Sequence, residues 1–414
     1  MGRRPIKPQF QGLRDTTMPQ PHAPSQHHFL VIGRGLMGTS CACHLAQMGH
    51  RVTLIGPDEP QDRQAFQGPF ASHHDAGRIT RGLAENADWS KLALRSIERY
   101  GDFERSVGLS FYHQTGVMMC GPHTGPAAPF SQSFLSVAER MQLDHDVLHG
   151  TEISQRFPWF EIPNDNVAAW EKLGGWINPR LLRRAMEQTA IQSGADIVPS
   201  WVARQTGTTV TLATGDVITG DHIVVATGGY CATADWCDIR PAMQVYARTV
   251  VLAQVSQAQT KTMAAMPSAI ILPTGAQLDQ DVYILPPIQY PDGQYYIKIG
   301  GEESSPLLTN DTDMQHWFRS GGDPVAADML EHQLRQLMPR VPFQSITRDA
   351  CAVSFTQTGL PYIETVSDGL TLVTGGNGAA AKSCIEIGKL GAMTAAQQDI
   401  KSQGYDSDFH AVFA

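Results

Sequence analysis

The residues FLVIGRGLMG (Phe29–Gly38) constrain the fold more than any other stretch of this chain. Four apolar residues, hydrophobic enough to be buried on both faces, run straight into a G-x-G-x-x-G loop made by Gly33, Gly35 and Gly38. Thr39–Met48 then places small and apolar residues at helical spacing and stops at Gly49, and RVTLI (Arg51–Ile55) supplies a second strand. Strand, glycine turn, helix and strand in so few residues make a βαβ unit, the building block of a parallel sheet. Such glycines let the backbone approach a pyrophosphate, and the helix N-terminus stabilises its charge; Leu36 and Met37 complete the loop. An acid about 20 residues further on ordinarily takes the ribose hydroxyls. Here that position is Gly56, in LIGPDEP, leaving Asp58, Glu59 or backbone groups to serve instead.

Three further blocks belong with this unit. Asn178–Asp196 is an amphipathic helix with Asn178 as cap and Pro179 at its first position. Trp201–Gly229 alternates β-branched and polar residues, then closes on a buried strand, HIVVATGG, that carries Gly228. Gly369–Gln397 reads as strand, Gly-rich turn and helix. Between them, Val107–Pro163 and Ile239–Pro306 carry alternating strands such as RTVVLAQV and QYYIKIGGE. The fold class expected is α/β (α+β overall): a Rossmann-like nucleotide domain from 28–106, 164–238 and 335–414, with an inserted antiparallel-sheet substrate domain from 107–163 and 239–334. Residues 1–27 are basic and Pro-rich without the apolar segment of a secretory signal, and read as a disordered tail.

The net charge of −9 over 414 residues argues against nucleic acid or an anionic membrane surface as partner. No apolar run approaches the ~18 residues of a membrane helix. Seven scattered cysteines, an odd number, do not form a disulfide framework and suit a reducing compartment, so a cytoplasmic monomer or small oligomer is expected.

Against that acidic background, SHHDAGRITRG (Ser72–Gly82) concentrates two histidines and two arginines. A surface turn, a metal site and a lining for an anion all fit that composition. Adjacent histidines point in different directions, and no further His/Cys/Asp cluster at ligand spacing follows, so no metal is expected. No G-x-S-x-G nucleophile elbow is present either.

Taken together, GRGLMG, SHHDAGRITR, KLALRS (Lys91–Ser96), QTGVMM (Gln114–Met119), GGWINP (Gly174–Pro179) and ATGG resemble the flavin-dependent amine and amino-acid oxidases of the D-amino-acid oxidase superfamily. The sarcosine oxidase and N-methyltryptophan oxidase branch is the most similar, and the resemblance runs from His28 to about Gln397. It implies an FAD cofactor held by Gly33, Gly35, Leu36, Met37, Gly38, Ser72, His73, His74, Arg78, Gly228, Gly376, Gly378 and Lys382. Cys351 falls where that branch attaches FAD as a thioether, an ordinary buried cysteine being the alternative. Lys298 matches the lysine placed over the flavin for reaction with O2, and Arg78 and His74 are the other implied catalytic groups. Arg81 and Lys382 match a carboxylate-binding pair, an Arg fork with a Lys point charge. Tyr283 joins them in the substrate pocket, as does Glu302, where the family often has histidine.

The activity so implied is oxidation of the C–N bond of a secondary or N-methylated amino acid to an imine, with O2 reduced to H2O2. Glu302 and the small Ala379–Ala381 run leave open another carboxylate-bearing amine, such as a cyclic imino acid, a glycated amino acid or a D-amino acid. A dehydrogenase passing electrons to an acceptor other than oxygen is the remaining alternative.

Overall fold

The strand expected at the start of the βαβ unit, His28–Ile32, lies in the middle of a six-stranded sheet. In the computed structural model, which describes residues 26–414 apart from 234, 273–280 and 302–305, the sheet order is Tyr362–Ser367, Leu370–Thr374, His222–Val225, His28–Ile32, Arg51–Ile55, Asp196–Val198. All neighbours are parallel except the hairpin of Tyr362–Ser367 with Leu370–Thr374. The expected disordered tail lies, as far as residue 25, outside the described residues.

Helices Leu36–Gln47 and Ala380–Ala395 pack together against one face of this sheet, with Ala87–Val107 and Pro179–Gln192 beside them. Their shared core includes Phe29, Val31, Leu45, Tyr100, Ile385 and Leu390, all buried. Asn178 caps its helix as expected, its side chain accepting from the Leu181 N–H at 3.1 Å, with Pro179 at the first position. On the other face, Val202–Thr206, Thr209–Leu212 and Val217–Thr219 form a small antiparallel meander, the alternating pattern seen in the sequence.

An eight-stranded sheet makes the second layer system, in the order Ser345–Thr356, Met243–Val255, Tyr295–Gly301, Val282–Gln289, Ser268–Ile271, Val117–Pro122, Asn166–Glu171, His145–His149. It departs from the expected antiparallel sheet at one seam: Ser268–Ile271 runs parallel to Val117–Pro122. Two of its strands, Asn166–Glu171 and Ser345–Thr356, fall within ranges expected for the nucleotide domain. Asn166–Glu171 is almost wholly buried, so its sequence, NVAAWE, shows no in–out alternation to mark which sheet it joins.

A third, small sheet joins the two systems. Arg78–Thr80 and Tyr112–His113 each pair with Gly175–Ile177. This short strand is what fixes the SHHDAGRITRG segment. Arg78 opens this strand and Arg81 follows directly after its end.

Candidate active site

A cavity of about 670 Å³ lies between the two sheets. Its wall runs from the glycine loop, through His73, His74 and Arg78, to Arg81, Tyr283 and Lys382. Cys351, Ser72, Gly228, Gly376 and Gly378 also face it. Residues scattered over the whole sequence therefore meet in one space.

At the glycine loop, Gly33 has φ of +114°, and a Cβ there would lie 2.3 Å from the Ala226 carbonyl oxygen. Only glycine fits. Gly35 begins the helix Leu36–Gln47 without any side-chain cap, so its first-turn N–H groups are left for an anion. Gly38 does not face the cavity. A Cβ on it would fall 1.9 Å from the Gly33 oxygen, so its part is close packing of helix on loop.

Gly56 explains why the ribose acid is missing. A Cβ at this position would lie 2.4 Å from the Arg34 Cβ and 2.6 Å from its backbone N, so no carboxylate can stand there. Arg34 is instead paired off: it binds Glu187 in a two-pronged contact, through Nε and through Nη2 at 2.9 Å. Its Nη1 reaches Asp58 at 2.6 Å. Sequence reading passed over Arg34, although it sits inside the glycine loop it braces.

His73 is buried with its Nε2 unpartnered, and the Nδ1 of His74 is likewise without a partner. Burial, then the neighbouring His74 and arginines 183, 180 and 78, hold the His73 imidazole well below its ordinary pKa. Burial pushes His74 down to about 4. Both rings are thus neutral at pH 7 and present open hydrogen-bonding atoms to the cavity wall. A second helix, Ala380–Ala395, also starts at the wall without a side-chain cap. Unpartnered ring nitrogens, two uncapped helix N-termini and glycines that admit backbone approach suit a large dinucleotide with a pyrophosphate.

Arg78 reaches the Ser72 carbonyl at 2.8 Å and the Cys351 sulfur at 3.5 Å, so the cysteine faces the cavity beside a guanidinium. The strand that carries Cys351, Ser345–Thr356, is pinned to the GGNG turn: Asn377 N–H donates to the Ser354 carbonyl at 2.8 Å and its Oδ1 accepts from Thr356 N–H at 2.9 Å.

At the far end, Arg81 and Lys382 line the wall together. Lys382 is buried, and its ammonium donates to the Arg81 carbonyl at 3.3 Å. The Arg81 guanidinium donates to the Leu83 carbonyl. Burial lowers the proton affinity of both, that of Lys382 further by the charge of Arg81. Glu171, the nearby carboxylate, spends both oxygens on the Gly82 and Leu83 N–H groups at 2.8 and 2.7 Å.

Lys298 differs from the expectation of an ammonium on the cavity wall. It is fully buried and donates to Asp75 at 2.7 Å and to the Gly77 carbonyl at 2.6 Å, one layer behind Arg78. The reason lies in the strand: Tyr295–Gly301 is buried nearly throughout, and Tyr283, whose ring centre is 5.6 Å from the ammonium, lines the cavity where Lys298 does not. Glu302 lies outside the described residues. Among the described residues no group of three or more His, Cys, Asp or Glu could hold a metal ion. No described helix is long and apolar enough to cross a membrane.

Comparison with known proteins agrees with this geometry. A monomeric sarcosine oxidase of Streptomyces avermitilis is 34% identical over 169 residues, 41% of this chain and 42% of that protein. An N-methyl-L-tryptophan oxidase of Yersinia pestis is 24% identical over 173 residues, 42% of this chain and 44% of that protein. The matched stretches thus span less than half the length of these curated relatives. NikD, described as an unusual amino acid oxidase essential for nikkomycin biosynthesis, shares the fold in its open form, with a TM-score of 0.70 and 19% identity over 94% of this chain and 98% of that one. The FAD-dependent oxidoreductase (DAO) family profile matches residues 28–393, from the first strand past Lys382. The chain belongs to that family of FAD-dependent oxidoreductases.

Proposed function

We propose that this protein oxidises a secondary or N-methylated amino acid at the carbon next to nitrogen and uses O2 as the electron acceptor. The observation that carries the reading is the Arg81/Lys382 pair: a half-buried guanidinium and a buried ammonium in the same cavity as the glycine loop, their hydrogen bonds ending on backbone carbonyls. Burying charge in that way is costly unless a ligand anion arrives. A carboxylate matches the Arg fork and the Lys point charge. The relatives named as sarcosine and N-methyl-L-tryptophan oxidases support an N-methyl substrate.

FAD supplies the two-electron acceptor for the C–H bond. Arg81 and Lys382 hold the carboxylate and so orient the amine. Tyr283 and Ile270 wall the same end, and the small residues Ala379–Ala381 leave room there. The amine loses two electrons and two protons to become an imine, which water hydrolyses; O2 gains both and leaves as H2O2. Lys298 serves the oxygen step electrostatically, its ammonium stabilising negative charge as it develops on oxygen. Cys351 would hold FAD by a C–S bond.

The test is a peroxide-release screen over N-methyl amino acids, cyclic imino acids, glycated amino acids and D-amino acids. Peroxide from N-methyl amino acids is the expected result. Flavin bleaching without peroxide would point to a different electron acceptor, and turnover confined to another class would replace the substrate assignment. A pellet that stays yellow after acid precipitation supports the Cys351 link, and Cys351→Ala should release the colour; a colourless wild-type pellet removes the link.

A further inference from the structure

Asp75 is the one acid in the stretch Ser72–Gly82, and both of its oxygens are engaged. Oδ1 accepts from the Tyr290 hydroxyl at 3.0 Å and from the Ala76 N–H at 2.7 Å. Oδ2 accepts from Lys298 Nζ at 2.7 Å and forms an ion pair with Arg78. One carboxylate therefore ties two cations from different parts of the chain to the same turn. Asp75 does not line the main cavity; it borders a small adjoining void of about 20 Å³ with Tyr290 and Arg78.

The physics of this cluster is asymmetric. A lysine in a dry interior gives up its proton far more readily than an arginine does. Burial and the charge of Arg78 both push Lys298 in that direction. The groups facing it are Asp75 and Arg78 from the turn, Tyr283 and Tyr290 from the neighbouring strand and its end, and Asp349 and Cys351 from Ser345–Thr356. Of these only Asp75 touches the ammonium with a carboxylate. The cluster Lys298–Asp75–Arg78 keeps one net positive charge while Lys298 is protonated.

We propose that Asp75 is a positioning residue for the oxygen step: it keeps Lys298 an ammonium and holds Arg78 against Cys351, with the Tyr290 hydroxyl fixing the carboxylate. The inference rests on the role given to Lys298 above. The step assisted is transfer of two electrons and two protons to O2, giving H2O2. The ammonium acts through its charge and ends with the proton it began with. Asp75 touches neither substrate nor oxygen, so amine oxidation should depend on it little.

The experiment uses holoenzyme reduced by light or dithionite under anaerobic conditions and then mixed with O2, so no substrate need be known. Lys298→Met should slow reoxidation about 100-fold at every pH, and Asp75→Asn about 10-fold or more at pH 8 with recovery as the pH falls. Tyr290→Phe, which keeps the carboxylate, should show the same pH trend at about 2- to 5-fold, and covers the case in which Asp75→Asn does not fold. As a readout independent of turnover, the visible spectrum of oxidised Asp75→Asn should gain a titration near neutral pH that is lost in Asp75→Asn/Lys298→Met. If Lys298→Met is slow while Asp75→Asn and Tyr290→Phe reoxidise with the wild-type rate and pH profile, Asp75 has no such role. If Lys298→Met itself reoxidises at the wild-type rate, the oxygen role of Lys298 fails and this inference with it.

Discussion

The two ends of the cavity treat charge in opposite ways. At the glycine-loop end Arg34 is saturated, with Glu187 and Asp58 as carboxylate partners. At the Lys382 end, Arg81 and Lys382 are as deeply placed, yet among the described residues neither forms an ion pair and each donates to a carbonyl. A saturated cation is architecture: breaking it leaves a buried partner exposed to no solvent and costs stability. A cation held by carbonyls alone is a cost carried by the folded chain, and that cost is recovered when an anion binds. The glycine-loop end is built from backbone and shape, the Lys382 end from charge.

Gly56→Asp would break this contrast most severely. It restores the acid that usually takes the ribose, yet its Cβ must displace Arg34, so FAD retention should fall by about 100-fold or more, read by flavin fluorescence on dilution. A gain in affinity would overturn the account of that end. Next come Arg81→Ala and Lys382→Met, each expected to raise KM about 10- to 100-fold, the loss of one charge-assisted hydrogen bond. Lys382→Met should also leave the ligand-free protein as stable as wild type or more so in thermal unfolding, because a buried charge has been removed. A large fall in Tm would place Lys382 among the architectural cations instead. In the wild type, KM should rise with pH as the Lys382 proton, already weakened by burial and Arg81, is lost.

Glu187→Gln tests the saturated end and should cost about 2 kcal/mol in denaturant unfolding. That is less than a full buried-pair loss, because an amide oxygen in the place of Oε2 would still accept from Arg34 Nε and Arg183. KM for substrate should stay unchanged in this variant. The smallest effect concerns pH. His74 has a folded pKa of about 4 against an ordinary 6.5, so the unfolded chain binds the proton first as the medium is acidified. Its stabilising contribution is complete above pH 6.5 and is lost as the pH falls toward 4, and His74→Gln should flatten that part of the stability curve.

Much of the nucleotide end could be read in the sequence because its signals are local. An apolar run, glycines at fixed offsets and the Asn178–Pro179 cap each declare themselves within a few residues. Arg81 and Lys382 emerged through resemblance, and the structure brings them to one wall across 300 intervening residues. What stayed hidden depends on contacts distant in sequence. Gly56 is dictated by Arg34, Lys298 is turned inward by Asp75, and NVAAWE joins a sheet that its own pattern does not indicate. Asp75 was in plain view between two histidines and an arginine, but its meaning requires Lys298 and Tyr290 beside it.

The parallel seam between Val117–Pro122 and Ser268–Ile271 has a consequence for how the molecule comes into being. Those strands are about 150 residues apart, and the same sheet ends on Ser345–Thr356, while the nucleotide sheet waits for Leu370–Thr374. Pairings of that span close large loops and form slowly. A growing chain on the ribosome therefore cannot complete either sheet until nearly all of it has been made. Fragments that stop before residue 370 should remain sensitive to protease and dependent on chaperones, and the two sheets should mature as one cooperative event.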